Sequence, residues 1–290
     1  KFFYDERGSQ LFEQITKLEE YYPGRTEKEI LKTIDLSFIN NFENLNIFEL
    51  GSGDHSKISL ILNQIPNLYL KSLVYHPIDI SKSAIQLASE KLLKIYPEIS
   101  IQAYVADFTH QLNIIPKNEN RLFCFLGSTI GNFTYEKSLD FLKEVNKIMT
   151  NNDYFLLGLD TIKEREILNA AYNDKQNLTA DFNLNILNVI NKICETNFKT
   201  ADFKHIAFFN EDKKRIEMYL QAQENISIKS KYFPNEITIE KGEKIHTENS
   251  QKYDTELLLD LSSKSGFQII NIFSDKKNWF NLVLLKKSQI

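Results

Sequence analysis

Cysteine is scarce in this chain. The two thiols among 290 residues, Cys124 and Cys194, each lie in an apolar, regularly patterned segment. Thiols so placed read as small buried hydrophobes, which argues against a disulfide scaffold and agrees with a reducing compartment. No CxxC or CxxH cluster occurs, and His55, His76, His110, His205 and His246 show no metal-ligand spacing, so no metal is expected. Neither a Ser-His-Asp order nor a Cys-His pair stands out, and hydrolysis has no support. No apolar run approaches the length of a membrane span and no secretory signal is read, so a cytoplasmic protein without a membrane partner is expected. Blocks of one charge are missing too. The 35 Lys and Arg and 39 Asp and Glu are interspersed, for a net charge of −4, which leaves no footprint for nucleic acid.

What is present is an ordinary globular composition, 42% hydrophobic, enough for one large domain or a domain with a sizeable insertion. Strand-like and helix-like segments alternate from residue 46 onward. Strands are expected at 46–50, 73–78, 99–105, 121–126 and 154–159. Helical spacing marks 56–65, 81–95 (with Ser81 as its cap) and 135–149. Such alternation implies right-handed βαβ units and a parallel sheet covered on both faces. Near the C-terminus the pattern changes: a helix at 255–265 stops at Gly266, and strands 267–273 and 279–285 flank a polar turn as a hairpin. The expected fold is therefore α/β, a Rossmann-like sheet ending in an antiparallel hairpin, which resembles the common methyltransferase fold. Residues 39–162 and 253–290 would form that domain. Residues 1–38 and 163–252 would form a smaller α+β lobe, with two helices, strands at 205–209 and 215–222, and a polar span running to Ser250.

Gly51-Ser52-Gly53 follows the first strand and precedes a helix, the setting in which a glycine turn lets a ligand approach backbone. A tight turn without a ligand fits the triplet equally well. The third glycine of a dinucleotide fingerprint is absent, since Ser56 stands three residues after Gly53. Asp79 ends the second strand, where a carboxylate can accept two ribose hydroxyls or simply precede a helix. Asp107-Phe108 ends the third, where the acid can accept an adenine amine while the ring packs on the base. Together the three strand ends select a nucleoside-bearing cofactor without a pyrophosphate, which S-adenosylmethionine satisfies. Gly127-Ser128-Thr129-Ile130-Gly131-Asn132 follows the fourth strand. Its glycines permit close backbone approach, and Asn132 either offers oxygen to an amine or caps the next helix. Tyr21-Tyr22-Pro23 reads as lobe packing or as an aromatic wall. Thr247-Glu248-Asn249-Ser250 reads as a solvated stretch or as a polar reader.

Several stretches carry a family resemblance: Phe3-Tyr4-Asp5-Glu6-Arg7-Gly8-Ser9, Glu20-Tyr21-Tyr22-Pro23-Gly24-Arg25-Thr26-Glu27, Glu49-Leu50-Gly51-Ser52-Gly53 and Phe125-Leu126-Gly127-Ser128-Thr129-Ile130-Gly131-Asn132. So do Ala171-Tyr172-Asn173-Asp174, Ile216-Glu217-Met218 and Thr247-Glu248-Asn249-Ser250. Across nearly the whole chain the sequence resembles the histidine-specific methyltransferases of ergothioneine biosynthesis. That resemblance implies trimethylation of the α-amine of L-histidine to the betaine hercynine, with S-adenosylmethionine as donor. It implies cofactor binding by Gly51, Ser52, Gly53, Lys57, Asp79, Asp107, Phe108 and Gly127, with Tyr4 closing the site. Asn132 and Tyr172 would hold the amine and carboxylate, and Glu248 and Ser250 the imidazole. Tyr21 or Tyr22, together with Met218, would line the pocket, and Asn132, Tyr172 and Tyr21 would stand nearest the chemistry. Gly24 and Asp54 depart from the family's usual Thr and small hydroxyl residue. The competing expectations are an Nα-methyltransferase for another amino acid or an indole derivative, and an inactive cofactor-binding regulatory module. Beyond the amino acid no partner is expected, with a monomer as the default.

Overall fold

The computed structural model describes residues 3, 5–39, 41–117 and 120–288. Tyr4 lies outside them. The chain divides into two compact units, one of residues 26–162 and 253–290, the other of residues 1–25 and 163–252.

The larger unit is built on a sheet. Helix α2 (Pro23–Leu31) begins in the smaller unit and leads into it. Then come β1 (Asn46–Leu50), α3 (Ser56–Leu62), β2 (Val74–Asp79), α4 (Lys82–Ile95), β3 (Ser100–Ile101) and β4 (Tyr104–Val105). They are followed by β5 (Arg121–Phe125), α5 (Tyr135–Ile148) and β6 (Tyr154–Asp160), and after residue 252 by α8 (Thr255–Lys264), β12 (Phe267–Ser274) and β13 (Phe280–Lys287). The strand order is β12-β13-β6-β5-β1-β2-β3, with β4 also paired to β2. All neighbours run parallel except β13, which is antiparallel to both β6 and β12. Strands β1 and β5 are buried at every residue, as expected of a sheet covered on both faces. Ser81 caps α4 by accepting from Ala84 N at 3.3 Å.

Two features differ from the sequence expectation here. The single strand expected at 99–105 is broken into β3 and β4. Tyr75 and Asp79 accept from Gln102 N and Ala106 N, so the alternate residue Pro77 faces the same neighbour and has no N–H for it. Residues 26–38, expected in the smaller lobe, pack with the sheet. Ile30, Leu31, Ile34 and Leu36 are buried in the same core as Ile47, Leu122 and Leu282, and their apolar spacing gives that stretch a face only a large core can bury.

The smaller unit contains α1 (Glu6–Ile15), α6 (Arg165–Tyr172), α7 (Leu178–Cys194), β7 (Phe203–Asn210) and β8 (Arg215–Ala222). It also holds a short hairpin of β9 (Ile226–Ile228) and β10 (Ile237–Ile239), and β11 (Lys244–Gln251). Strands β7, β8 and β11 form an antiparallel sheet in the order β11-β8-β7. Asp5 caps α1 by accepting from Gly8 N and also accepts from Asn185 of α7, both at 2.8 Å. A Cβ at Gly8 would fall 1.7 Å from the Phe3 carbonyl oxygen, so the motif requires glycine at that close approach. The polar span expected before Ser250 proves to be a strand. Its register against β8 shifts between His246 and Glu248, and this bulge seats Glu248 opposite Met218 and Ser250 opposite Ile216.

Candidate active site

In the sheet unit the expected donor residues gather at the carboxyl ends of β1, β2, β4 and β5. Gly51 leaves β1 with φ +70°, its N–H donates to Ile78 O at 2.8 Å, and a Cβ there would meet the Phe108 ring at 3.2 Å. The turn therefore needs both the left-handed backbone and the bare α-carbon. Asp79 accepts from Gly53 N at 3.2 Å and from Ser81 N at 2.9 Å, one oxygen to each turn. A carboxylate has about four acceptor positions, so Asp79 ties the two loops together and keeps further lone pairs unused by these two bonds. Asp107 accepts from Thr109 through N–H and hydroxyl, and Phe108 packs edge-on against Phe125 at 5.3 Å. Ser52 is buried, and its hydroxyl has no hydrogen-bond partner among the described residues. Asp54, the departure beside the turn, accepts from Ser56 N at the start of α3.

A residue that the sequence reading passed over organises the next loop. Glu27 of α2 is fully buried; one oxygen accepts from Gly127 N at 2.7 Å and the other pairs with Lys57 Nζ at 2.7 Å. Lys57 and Gly127 are thus joined by one carboxylate. Gly127 has φ +78°, and a Cβ on it would lie 2.8 Å from Lys57 Nζ. The signal available was the motif itself: a Glu four residues past Pro23, on a helix whose partners lie about a hundred residues away. Asn132 ends the short 3-10 turn after Gly127 and is exposed. It does not cap the next helix, because Thr134 holds that place.

In the smaller unit a second cluster forms around β11. Tyr172, at the end of α6, donates to Ser250 Oγ at 2.7 Å. Lys252 is fully buried and donates to Ser250 Oγ at 2.8 Å and to Tyr172 Oη at 3.1 Å. The Tyr21 ring meets Tyr172 edge-on at 6.2 Å and Phe12 at 6.1 Å. Tyr22 is buried elsewhere, with Lys163 donating to its hydroxyl at 2.7 Å and lying over its ring. Of the two tyrosines it is Tyr21 that joins this cluster. Met218 is buried beside Glu248 in register. Glu248 is half-buried, its Oε2 is fully covered without a hydrogen-bond partner among the described residues, and burial pushes its carboxyl up to about 7. A covered acceptor with nothing to accept is costly. Lys252 and Phe12 were not singled out from the sequence; Lys252 follows from strand alternation past Ser250 once 244–251 is known to be a strand.

Among the described residues no group of three or more His, Cys, Asp and Glu could hold a metal ion, and no helix is long and apolar enough to cross a membrane. The profile of the histidine-specific, S-adenosylmethionine-dependent methyltransferases matches residues 1–287. Histidine N-alpha-methyltransferase of Mycolicibacterium smegmatis is 35% identical over 284 residues, covering 98% of this chain and 88% of that protein. Ergothioneine biosynthesis protein 1 of Neurospora crassa is 32% identical over 303 residues, covering 99% of this chain and 33% of that one. Among solved structures, the mitomycin 7-O-methyltransferase MmcR matches with a TM-score of 0.52 at 11% identity, over 99% of this chain and 59% of its own, a likeness of fold alone. With a parallel sheet closed by an antiparallel strand and a profile match over nearly its full length, the chain belongs to the histidine-specific, S-adenosylmethionine-dependent methyltransferase family.

Proposed function

We propose that this protein transfers methyl groups from S-adenosylmethionine to the α-amine of L-histidine, giving the trimethylated betaine hercynine on the way to ergothioneine. The observation that carries the acceptor's identity is the covered Glu248 oxygen, without a hydrogen-bond partner among the described residues, two residues from the Ser250 hydroxyl on one strand. An imidazole offers one N–H and one ring acceptor to such a pair, whereas an indole has no ring acceptor.

Gly51, Ser52, Gly53, Asp79, Asp107, Phe108 and Gly127 are assigned to the donor, with Tyr4 as an additional contact. Lys57 is assigned to the donor as well, and Glu27 ties it to Gly127. Asn132 and Tyr172 are assigned to the amino-acid end, and Tyr21 and Met218 to the pocket wall. The sulfonium supplies an already activated methyl group, so the protein's task is positioning for in-line displacement by a neutral amine. Aromatic faces such as Tyr21 suit the quaternary ammonium formed at the third transfer. The reading is of a cytoplasmic enzyme acting on a free amino acid. Mass spectrometry of products from a panel of amino acids tests it. Histidine is expected to gain three methyl groups, and selective methylation of tryptophan or of no amino acid would overturn the assignment.

A further inference from the structure

Ser250 Oγ receives two donors, Tyr172 Oη at 2.7 Å and Lys252 Nζ at 2.8 Å. A phenol is a much stronger acid than an aliphatic alcohol, so the shared proton belongs to Tyr172, and an ammonium can only donate. A serine oxygen has two lone pairs. Both are occupied, and its own proton must leave in a third direction, where no described residue accepts it. Lys252 is fully buried, with its ammonium 4.9 Å from the centre of the Tyr172 ring. A buried ammonium is expensive to desolvate, and an apolar side chain would fill the same volume without that cost. Its chemistry, more than its bulk, is what the position uses. On the same strand face, Glu248 Oε2 is a covered acceptor without a hydrogen-bond partner among the described residues. The face therefore presents one acceptor and one hydroxyl that has only a proton to offer. A neutral imidazole is the complement, with one N–H and one bare nitrogen; an imidazolium has two N–H groups and no acceptor.

We propose that Lys252 is a specificity-determining residue of the histidine site, an inference that rests on the function proposed above. With Tyr172 it fills both lone pairs of Ser250 Oγ, making the hydroxyl an obligate donor that selects a neutral ring with a bare nitrogen.

Titration calorimetry at pH 8, with S-adenosylhomocysteine saturating, compares histidine with the 2-yl and 3-yl isomers of pyrrolylalanine, which keep an N–H and lack the bare nitrogen. The readout is the Kd of the tighter pyrrole isomer divided by that of histidine. Leaving a buried donor unpaired is expected to give a ratio of about 30 in the wild-type enzyme. In Lys252→Met and in Tyr172→Phe, Ser250 regains a lone pair and can turn its proton aside, so the ratio should fall below about 5 whatever happens to either Kd alone. Ser250→Ala should lower it likewise. A role confined to folding would weaken both ligands together and leave the ratio unmoved. A wild-type ratio near one, or variants that bind histidine with the wild-type ratio, would overturn the proposal. Should Lys252→Met not fold, Tyr172→Phe removes a single oxygen and carries the same comparison. Failure of the wild-type enzyme to bind histidine at all would instead remove the function proposed above.

Discussion

Glu248 shows how a single carboxyl acquires a working pH. Burial pushes it up to about 7, because burial disfavours the charged form of a carboxyl. The acceptor that reads an N–H is the ionised form, so histidine binding should strengthen as pH rises through about 7. Between pH 6 and 8 the ionised fraction of such a group grows about tenfold, and the association constant should grow with it beyond the titration of free histidine. Calorimetry across that range tests this, with Glu248→Gln as the control. A Gln variant that keeps the full pH dependence would assign it to another group. From the sequence, Glu248 and Ser250 were visible as a motif and, through the family resemblance, as readers of the imidazole; the burial that tunes Glu248 was not. The residue completing the motif, Lys252, is unremarkable until a strand and a bulge set its direction.

At the scale of elements, β1 and β2 are joined by a side-chain bond as well as by their ladder. Tyr75 Oη donates to Glu49 at 2.5 Å. Glu49 is raised to about 8, chiefly by burial, with the tyrosine pulling the other way. Between the ordinary 4.5 of a Glu and about 8, the folded chain holds a proton that the unfolded chain has lost. Stability from this group is therefore complete at acid pH and declines as pH rises through that window. Glu49→Gln, which mimics the neutral acid, should flatten the decline. Urea denaturation at pH 5, 6.5 and 8 would measure it, and parallel pH curves for both proteins would refute it. The elements themselves were largely legible, because the period of apolar residues in β1, β5, α4 and α5 is strong. What escaped was set by tertiary pairing: the break that Pro77 imposes opposite residues 102–104, the strand β11 with polar composition, and the attachment of residues 26–38 to the sheet core. The Glu27 bridge to Gly127 and Lys57 escaped for the same reason, since no local pattern announces a partner so distant in the chain.

For the whole molecule, the described residues assigned to the donor fall in the unit of residues 26–162 and 253–290. Those assigned to the imidazole fall in the unit of residues 1–25 and 163–252. The two affinities should therefore separate by mutation. Asp79→Ala is expected to weaken S-adenosylmethionine binding by at least about tenfold, through loss of hydrogen bonds to a carboxylate. Glu248→Ala should weaken histidine binding by a similar factor and leave the donor affinity within about twofold. Equilibrium dialysis with each ligand alone reads both, and equal loss of the two ligands in Glu248→Ala would show that this residue serves the fold.

Strand β13 follows the other described strands yet takes an interior place, between β6 and β12. While the polypeptide is being synthesised, β6 therefore presents an unpaired edge until residues 280–287 have left the ribosome, long after its parallel neighbours are available to pair. An unfilled apolar edge is a template for association with other chains. A message truncated just before Phe280 would thus yield a nearly complete set of strands with a gap in the sheet. The nascent enzyme thus passes through a vulnerable interval after the parallel strands of its sheet have already emerged.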